Sequence, residues 1–311
     1  GCRISVSCAG VGNAMRSRLG HPGRVYRVNR RVVVPTLLVC AAPWLGGCQA
    51  TDAIVDYFGP HADPTLTSLA HDASADAHAL QKLDPDAASL RAQHADELYS
   101  EIERLCGRDE EGHVPRSCEV NREGEAYEAT DAAAVLAAAS SSIEEQLDAV
   151  SPESRPLLVA QAIAMEARST DEPGAVPELT EDDADLATEL LDWEYRQVYA
   201  LDFARSYVTP DVEELVDERL ALHENRVLAL QEAVAKIGPV PQPAAAYTSS
   251  SGELPVDAAS ARAFLDDVAH SDTVTWASAA SQEVPDQAAP NTEWRSWLIS
   301  VAAQSHRTSA A

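Results

Sequence analysis

"LDWEYRQVYALDF", residues 191–203, places a glutamate inside the apolar pattern of a predicted helix. At 100° per residue, the apolar side chains of this helix fall on one stripe. The stripe consists of Ala187, Leu190, Val198, Leu201 and Val208. Glu194 falls in its middle, so the sequence predicts a carboxylate that faces the core of a helical protein.

The next helix, predicted over residues 211–237, carries a histidine in the same kind of position. His223 falls in the middle of an apolar stripe made by Val216, Leu220, Val227, Leu230 and Val234. The two helices turn around "VTPD", residues 208–211, so Glu194 and His223 lie within about 3 Å in height at 1.5 Å per residue. We expect the carboxylate and the imidazole to meet inside the bundle.

Two kinds of chemistry would explain this pair. A buried ion pair or hydrogen bond would set the register of the helices and would need no cofactor. A mononuclear metal or small-ligand site would use Glu194, His223 and Asp267, which falls close to the apolar stripe of its own helix, with iron, manganese or zinc as the metal. A ferritin-like dinuclear iron site also needs a glutamate three residues before the histidine, where Leu220 stands.

Helical patterns also fill most of the remaining chain. Apolar residues make up 45% of the composition and aromatic residues only 5%, which suits closely packed helices better than strands. The predicted helices are 64–83, 86–106, 128–150, 154–169, 181–208, 211–237, 257–283 and 291–307. They form four hairpins, so the predicted fold class is all-α.

The hairpins are arranged as two units, each with a long connection between its two hairpins. We predict an N-terminal helical bundle over 63–170, a linker over 171–179 and a four-helix domain over 180–308. The connection 238–255 would span about 60 Å when extended, whereas a 27-residue helix is about 40 Å long. One such crossover between hairpins is typical of a ferritin-like four-helix bundle.

The N-terminal 47 residues predict a secretory signal peptide. They contain seven arginines and no acidic residue, and the apolar run "VVVPTLLVCAAPWL" at 32–45 follows. Within this segment, "NRRVVV" at 29–34 loosely resembles a twin-arginine signal. Met15 is a more natural start than Gly1, which suggests that residues 1–14 are not native.

"LGGC", residues 45–48, resembles the lipobox of bacterial lipoproteins. The resemblance implies lipidation of Cys48 and cleavage before it, with a short tether over 48–62. Several acyl chains on Cys48 would anchor the protein firmly. The expected location is therefore the outer face of the plasma membrane, and the expected partners are the membrane itself and envelope proteins.

The charge of the chain limits its partners, and its cysteine usage agrees with export. Removal of residues 1–47 leaves 16 basic and 50 acidic residues, a net charge of −34, which argues against nucleic-acid binding. Of the six cysteines, only Cys106 and Cys118 remain once Cys48 is lipidated. Outside the cytoplasm such a pair predicts a disulfide.

The second half resembles a known family across roughly residues 180–308. The matching segments are "LLDWEYRQVYAL", "ERLALHENRVLALQEAV", "PQPAAAY" and "FLDDVAHSDTVTWASAA". They are similar to the ferritin-like domain of unknown function in actinobacterial lipoproteins. The resemblance implies a fold and an envelope location without a reaction.

No Ser-His-Asp set, phosphate loop or catalytic carboxylate pair is visible in the sequence. We therefore expect a structural or partner-binding role in the cell envelope, with no catalytic activity evident. The alternative is a ferritin-like metalloprotein, either metal-binding or an oxidase, that uses Glu194 and His223.

Overall fold

The computed structural model describes residues 59–248, 253–282 and 290–310, and all regular secondary structure in these ranges is helical. The eight α-helices are α1 (Pro64–Leu80), α2 (Pro85–Cys106), α3 (Ala132–Gln146), α4 (Arg155–Glu166), α5 (Ala184–Arg205), α6 (Pro210–Val234), α7 (Ala258–Ser281) and α8 (Thr292–Ala310). The all-α prediction is confirmed. The predicted signal peptide 1–47, Cys48 and the tether up to residue 58 lie outside the described residues.

Aspartate side chains fix where several helices begin. Asp63, Asp84, Asp131 and Asp257 each accept a hydrogen bond from a backbone N–H of the helix that follows. Such a cap satisfies a donor that has no partner within the helix. For α3 it also explains a difference from the sequence prediction: Asp131 caps the helix, so α3 begins at residue 132 and not at 128.

In the first half, the long connection runs alongside α1. The N–H of Ala62 donates to the carbonyl of Ser117, and further along α1 the Tyr127 hydroxyl donates to Asp76. The start of the connection is tied to the end of α2 by the disulfide between Cys106 and Cys118, the pair predicted from the sequence.

Contacts between hairpins give the direction of each helix in the first half. Gln161 of α4 donates to the backbone carbonyl of His94, and Ser154, just before α4, donates to Glu101. Residues further along α4 therefore contact residues nearer the start of α2. Because α2 and α4 are antiparallel, the order along the chain is up, down, down, up.

The second half repeats this layout. Trp276 of α7 contacts Glu194, while Leu201 shares a small apolar cluster with Phe264, so α5 and α7 are antiparallel. The connection between α6 and α7 follows α5, as shown by the hydrogen bond from the Tyr195 hydroxyl to the carbonyl of Pro241. The helices again run up, down, down, up.

Both halves contribute to one hydrophobic core. Its members include Leu66, Leu98, Ile143, Leu158, Leu191, Leu230, Trp276 and Leu298, one from each helix. The linker predicted at 171–179 lies over this core, where the carbonyl of Gly174 accepts a hydrogen bond from the Trp297 indole. Among the described helices, none combines the length and apolar character that crossing a membrane requires.

Gly124 allows the first connection to lie directly on α1. A Cβ atom at this position would come within 2.4 Å of the carbonyl oxygen of His71 and 2.5 Å of the backbone nitrogen of Ala75. We predict that Gly124→Ala lowers the free energy of unfolding by about 2 kcal/mol, the usual scale of overpacking. In a thermal melt this corresponds to roughly 4–8 °C.

Gly174→Ala is the matched control, because a Cβ atom at Gly174 would meet nothing within 4 Å. This variant should melt close to the wild type. A Gly124→Ala protein that melts with the control would contradict the close approach of the connection to α1.

Candidate functional site

Glu194 of α5 and His223 of α6 lie together in the core of the second half. The His223 Nδ1 atom is 2.7 Å from the Glu194 Oε2 atom, and both side chains are buried. The two residues meet because they lie at nearly the same distance from the turn of their hairpin. This geometry is a hydrogen bond between an imidazole and a carboxylate that water does not reach.

The acidic residue that α7 adds to this pair is Asp272, not Asp267. Asp272 is 3% exposed, whereas Asp267 is exposed to solvent and is not brought to the pair. The inward face of α7 contains Leu265, Val268, Asp272 and Trp276. Five residues at 100° each separate the two aspartates by about 140° around the helix, so only one can face inward.

Arg226 completes the group, which we call the Glu194 cluster: Glu194, His223, Arg226 and Asp272. The Arg226 Nη1 atom is 3.1 Å from Asp272 Oδ2 and 3.5 Å from Glu194 Oε1. The rest of its guanidinium reaches α8, where Gln304 accepts hydrogen bonds of 2.7 and 3.2 Å. Arg226 is not among the residues predicted from the sequence, although its position three residues after His223 puts it on the same helix face.

Two indoles supply the remaining hydrogen bonds to the carboxylates. Trp276 Nε1 lies 3.1 Å from both Glu194 Oε1 and Asp272 Oδ1, and Trp193 Nε1 lies 3.1 Å from Asp272 Oδ1. With the bonds from His223 and Arg226, each of the four carboxylate oxygens accepts at least one hydrogen bond from the protein. The carboxylates are therefore fully paired by the chain itself.

Electrostatics keep Asp272 ionised. Burial alone would raise its pKa, but His223 and Arg226 outweigh burial, helped by hydrogen bonds from Ser305 and Trp193, and the pKa is lowered. A carboxyl whose pKa is lower in the folded state stabilises the protein above its ordinary pKa. That contribution is lost as the pH falls below about 4.

The cluster also contains three side chains whose donor atoms could coordinate a metal. One ligand atom from each of Glu194, His223 and Asp272 lies within 4.8 Å of the others. One nitrogen and two oxygens suit zinc, manganese or iron. The Arg226 guanidinium already pairs with both carboxylates, however, so a metal would compete with a fixed positive charge and with the His223 hydrogen bond.

The first half contains a comparable buried group of its own. Arg91 of α2 bonds Asp76 of α1 at 2.9 Å and lies 3.2 Å from His94 Nδ1. Tyr127 donates to the other oxygen of Asp76 at 2.7 Å. Burial and the charge of Arg91 lower the pKa of His94 to about 3, so His94 is a neutral acceptor.

The buried groups of the two halves therefore both contain an aspartate, an arginine and a histidine. Arginine and histidine stand three residues apart on the second helix of each half, as Arg91 and His94 and, in reverse order, as His223 and Arg226. In the first half the group joins the connection to α1 and α2 through Tyr127. This parallel favours a structural interpretation of the Glu194 cluster.

The Arg226→Met variant tests the charge balance of the cluster. Two buried carboxylates would lose their guanidinium, and breaking a buried ion pair typically costs about 3–5 kcal/mol of unfolding free energy. We expect a loss of about 3 kcal/mol at pH 7 in chemical unfolding. The loss should be smaller near pH 4, because protonation then removes the unpaired negative charge.

Arg205→Met is the matched control, since Arg205 forms ion pairs with Glu213 and Asp217 on the exposed surface of the same hairpin. Exposed pairs contribute at most about 1 kcal/mol. Equal losses in the two variants, or a loss at Arg226 that does not depend on pH, would contradict the assignment.

Comparison with known proteins does not assign a role to this site. Comparisons of the chain with known protein families, with curated proteins and with solved structures found no match. The role of the Glu194 cluster is therefore inferred from its contacts, burial and charge.

Proposed function

We propose that the chain is a cell-envelope lipoprotein with a structural or partner-binding role, held at the outer face of the plasma membrane by lipidated Cys48. The proposal rests on the lipobox-like "LGGC" at 45–48 and on the arginine-rich, apolar segment before it. The disulfide between Cys106 and Cys118 is consistent with an exported protein.

We also infer that the second half is a ferritin-like bundle that serves as a scaffold. Its up, down, down, up order with one long connection is the layout of that fold class. The resemblance over 180–308 to the ferritin-like domain of actinobacterial lipoproteins points the same way. An acidic chain with a net charge of −34 after residue 47 would favour a positively charged partner.

The observation that carries the scaffold proposal is the pairing inside the Glu194 cluster. Every oxygen of Glu194 and Asp272 has a protein donor, and Arg226 supplies a permanent positive charge between them. A catalytic metal site needs ligand atoms that are free to coordinate and a position open to substrate. The cluster instead uses its carboxylates to join α5, α6, α7 and α8.

The alternative function is that of a ferritin-like metalloprotein, and one observation favours it. The donor atoms of Glu194, His223 and Asp272 are close enough to share one ion. Binding would require Arg226 to move away from both carboxylates. The rest of a dinuclear site is not supplied, because Leu220 takes the place of the second glutamate and Asp267 faces solvent.

Metal content distinguishes the two functions. We predict that the full-length chain, purified in mild detergent without chelators, contains no stoichiometric iron, manganese or zinc by mass spectrometry. The Glu194→Ala, His223→Ala double variant should have the same metal content and a lower melting temperature, because it leaves Arg226 with one carboxylate. Stoichiometric metal that disappears in the double variant would establish the metalloprotein alternative.

Membrane fractionation tests the location. We predict that the full-length chain, expressed in a bacterium with a lipoprotein-processing pathway, is found in the membrane fraction and is released from it by Cys48→Ala. Cys40→Ala, which changes a cysteine within the predicted signal peptide, is the control and should leave the protein in the membrane fraction. Equal distribution of the Cys48→Ala variant and the wild type would contradict lipid anchoring.

A further inference from the structure

Two glutamates meet where the first half of the chain contacts α8. Glu144 lies on α3 and Glu166 is the last residue of α4, and both residues line the same cleft. Ser300 of α8 donates to one oxygen of Glu166 at 2.9 Å, and Ser296 of α8 donates to Glu144. The pair therefore links α3 and α4 to α8.

A third hydroxyl holds Glu166 from its other side. Ser140 of α3 is buried and donates to the second oxygen of Glu166 at 3.2 Å. The acceptor positions of Glu166 are thus used within the junction. Movement of α8 away from α3 and α4 would break the bonds from Ser296 and Ser300 together.

No cation balances these two carboxyls. Among the described residues, no arginine, lysine or histidine lies within 4 Å of either carboxyl group. Arg295 of α8 pairs with Asp148, and Arg168 after α4 pairs with Asp84. Arg307 of α8 contacts the backbone carbonyls of Glu166 and Asp171 and lies 3.7 Å from Glu172.

Apart from these three arginines, the charged groups that line the junction are acidic. They are Asp131 and Glu145 from α3 and its cap, and Asp171 and Glu172 from the segment after α4. Two neighbouring carboxylates in such surroundings repel each other, and the repulsion is relieved when one of them binds a proton. The environment therefore favours a single proton shared between Glu144 and Glu166.

We propose that Glu144 and Glu166 share one proton that fastens α8 to α3 and α4, and that loss of this proton loosens the junction between the two halves. The protonated carboxyl donates to the ionised one, so each carboxyl keeps its hydroxyl donors. When both are ionised, one hydrogen bond becomes a charge repulsion inside a half-buried junction.

Glu166 titrates near neutral pH. Burial, and then the charge of Glu144, raise the pKa of Glu166 to about 7, and the hydroxyls of Ser300 and Ser140 offset this only in part. A cleft of about 500 Å³ beside the pair, bordered by the exposed residues Ser141 and Glu172, provides a route for water.

The direction in which pH changes stability depends on whether the folded or the unfolded protein binds more protons. The folded pKa is raised above the ordinary value of 4.5, so between these two values the folded protein binds more protons than the unfolded one. Stability therefore falls as the pH rises through this interval. Under this proposal α8 is held against α3 and α4 at pH 6 and separates from them more often at pH 8.

Hydrogen exchange of the full-length chain at pH 6 and pH 8 tests the proposal. After correction for intrinsic exchange rates, protection of the α8 amides should fall by about tenfold from pH 6 to pH 8. This is the expected change in an opening equilibrium when the proton is lost with a pKa near 7. Glu166→Gln, which is neutral at both pH values, should show no such difference.

Glu145→Gln is the matched control, because Glu145 is the exposed neighbour of Glu144 on α3. This variant should keep the wild-type dependence on pH. Glu144→Gln also removes the repulsion, and it serves as the second test if Glu166→Gln does not fold. Equal α8 protection at both pH values in the wild type, or the same pH dependence in Glu166→Gln, would overturn the proposal.

Discussion

The second half of the chain depends on one constraint: two buried carboxylates must find hydrogen-bond donors and positive charge where water does not reach them. Glu194 and Asp272 come from different helices, and Arg226 lies between them at 3.5 and 3.1 Å. An unpaired charge at this depth would cost several kcal/mol, so the helices can pack only in a register that brings the guanidinium to both acids. The bonds from Arg226 to Gln304 and Ser305 extend the same constraint to α8.

This constraint matters because the apolar core contains many small side chains. Alanines such as Ala187, Ala204, Ala261 and Ala302 are fully buried, and they allow close approach of helices without specifying a unique register. A hydrogen-bonded polar group has fewer satisfactory geometries than an apolar contact. We infer that the Glu194 cluster contributes specificity as well as stability.

The first half meets the same need with a smaller polar group. Asp76, Arg91 and His94 are joined there by Tyr127 from the long connection. In both halves the connection follows the first helix, and in both a histidine and an arginine stand three residues apart on the second helix. The two halves thus share one helix order and one kind of polar group, although their sequences have little residue similarity.

The helices and part of the cluster could be predicted from the sequence. Apolar periodicity located all eight helices, and counting residues from the hairpin turn placed Glu194 and His223 at one height. Cys106 and Cys118 pair as their number and position suggested. The predictions for Cys48 and the signal peptide concern residues outside the described part of the chain and stay predictions.

Other features depend on packing that one helix cannot reveal. Asp267 and Asp272 both lie near apolar residues of α7, and only the neighbouring helices decide which faces inward. Arg226 was missed because an arginine beside an apolar stripe is usually solvated, and here two acids from other helices draw it into the core. The Glu144 and Glu166 pair joins residues of two helices through serines of a third.

Anomalous scattering data collected on native crystals at high resolution would test the Glu194 cluster most directly. We predict guanidinium density between the carboxylates of Glu194 and Asp272 and no anomalous peak within bonding distance of His223. A metal peak coordinated by Glu194, His223 and Asp272, with the Arg226 side chain turned away, would contradict a structural role for the Glu194 cluster.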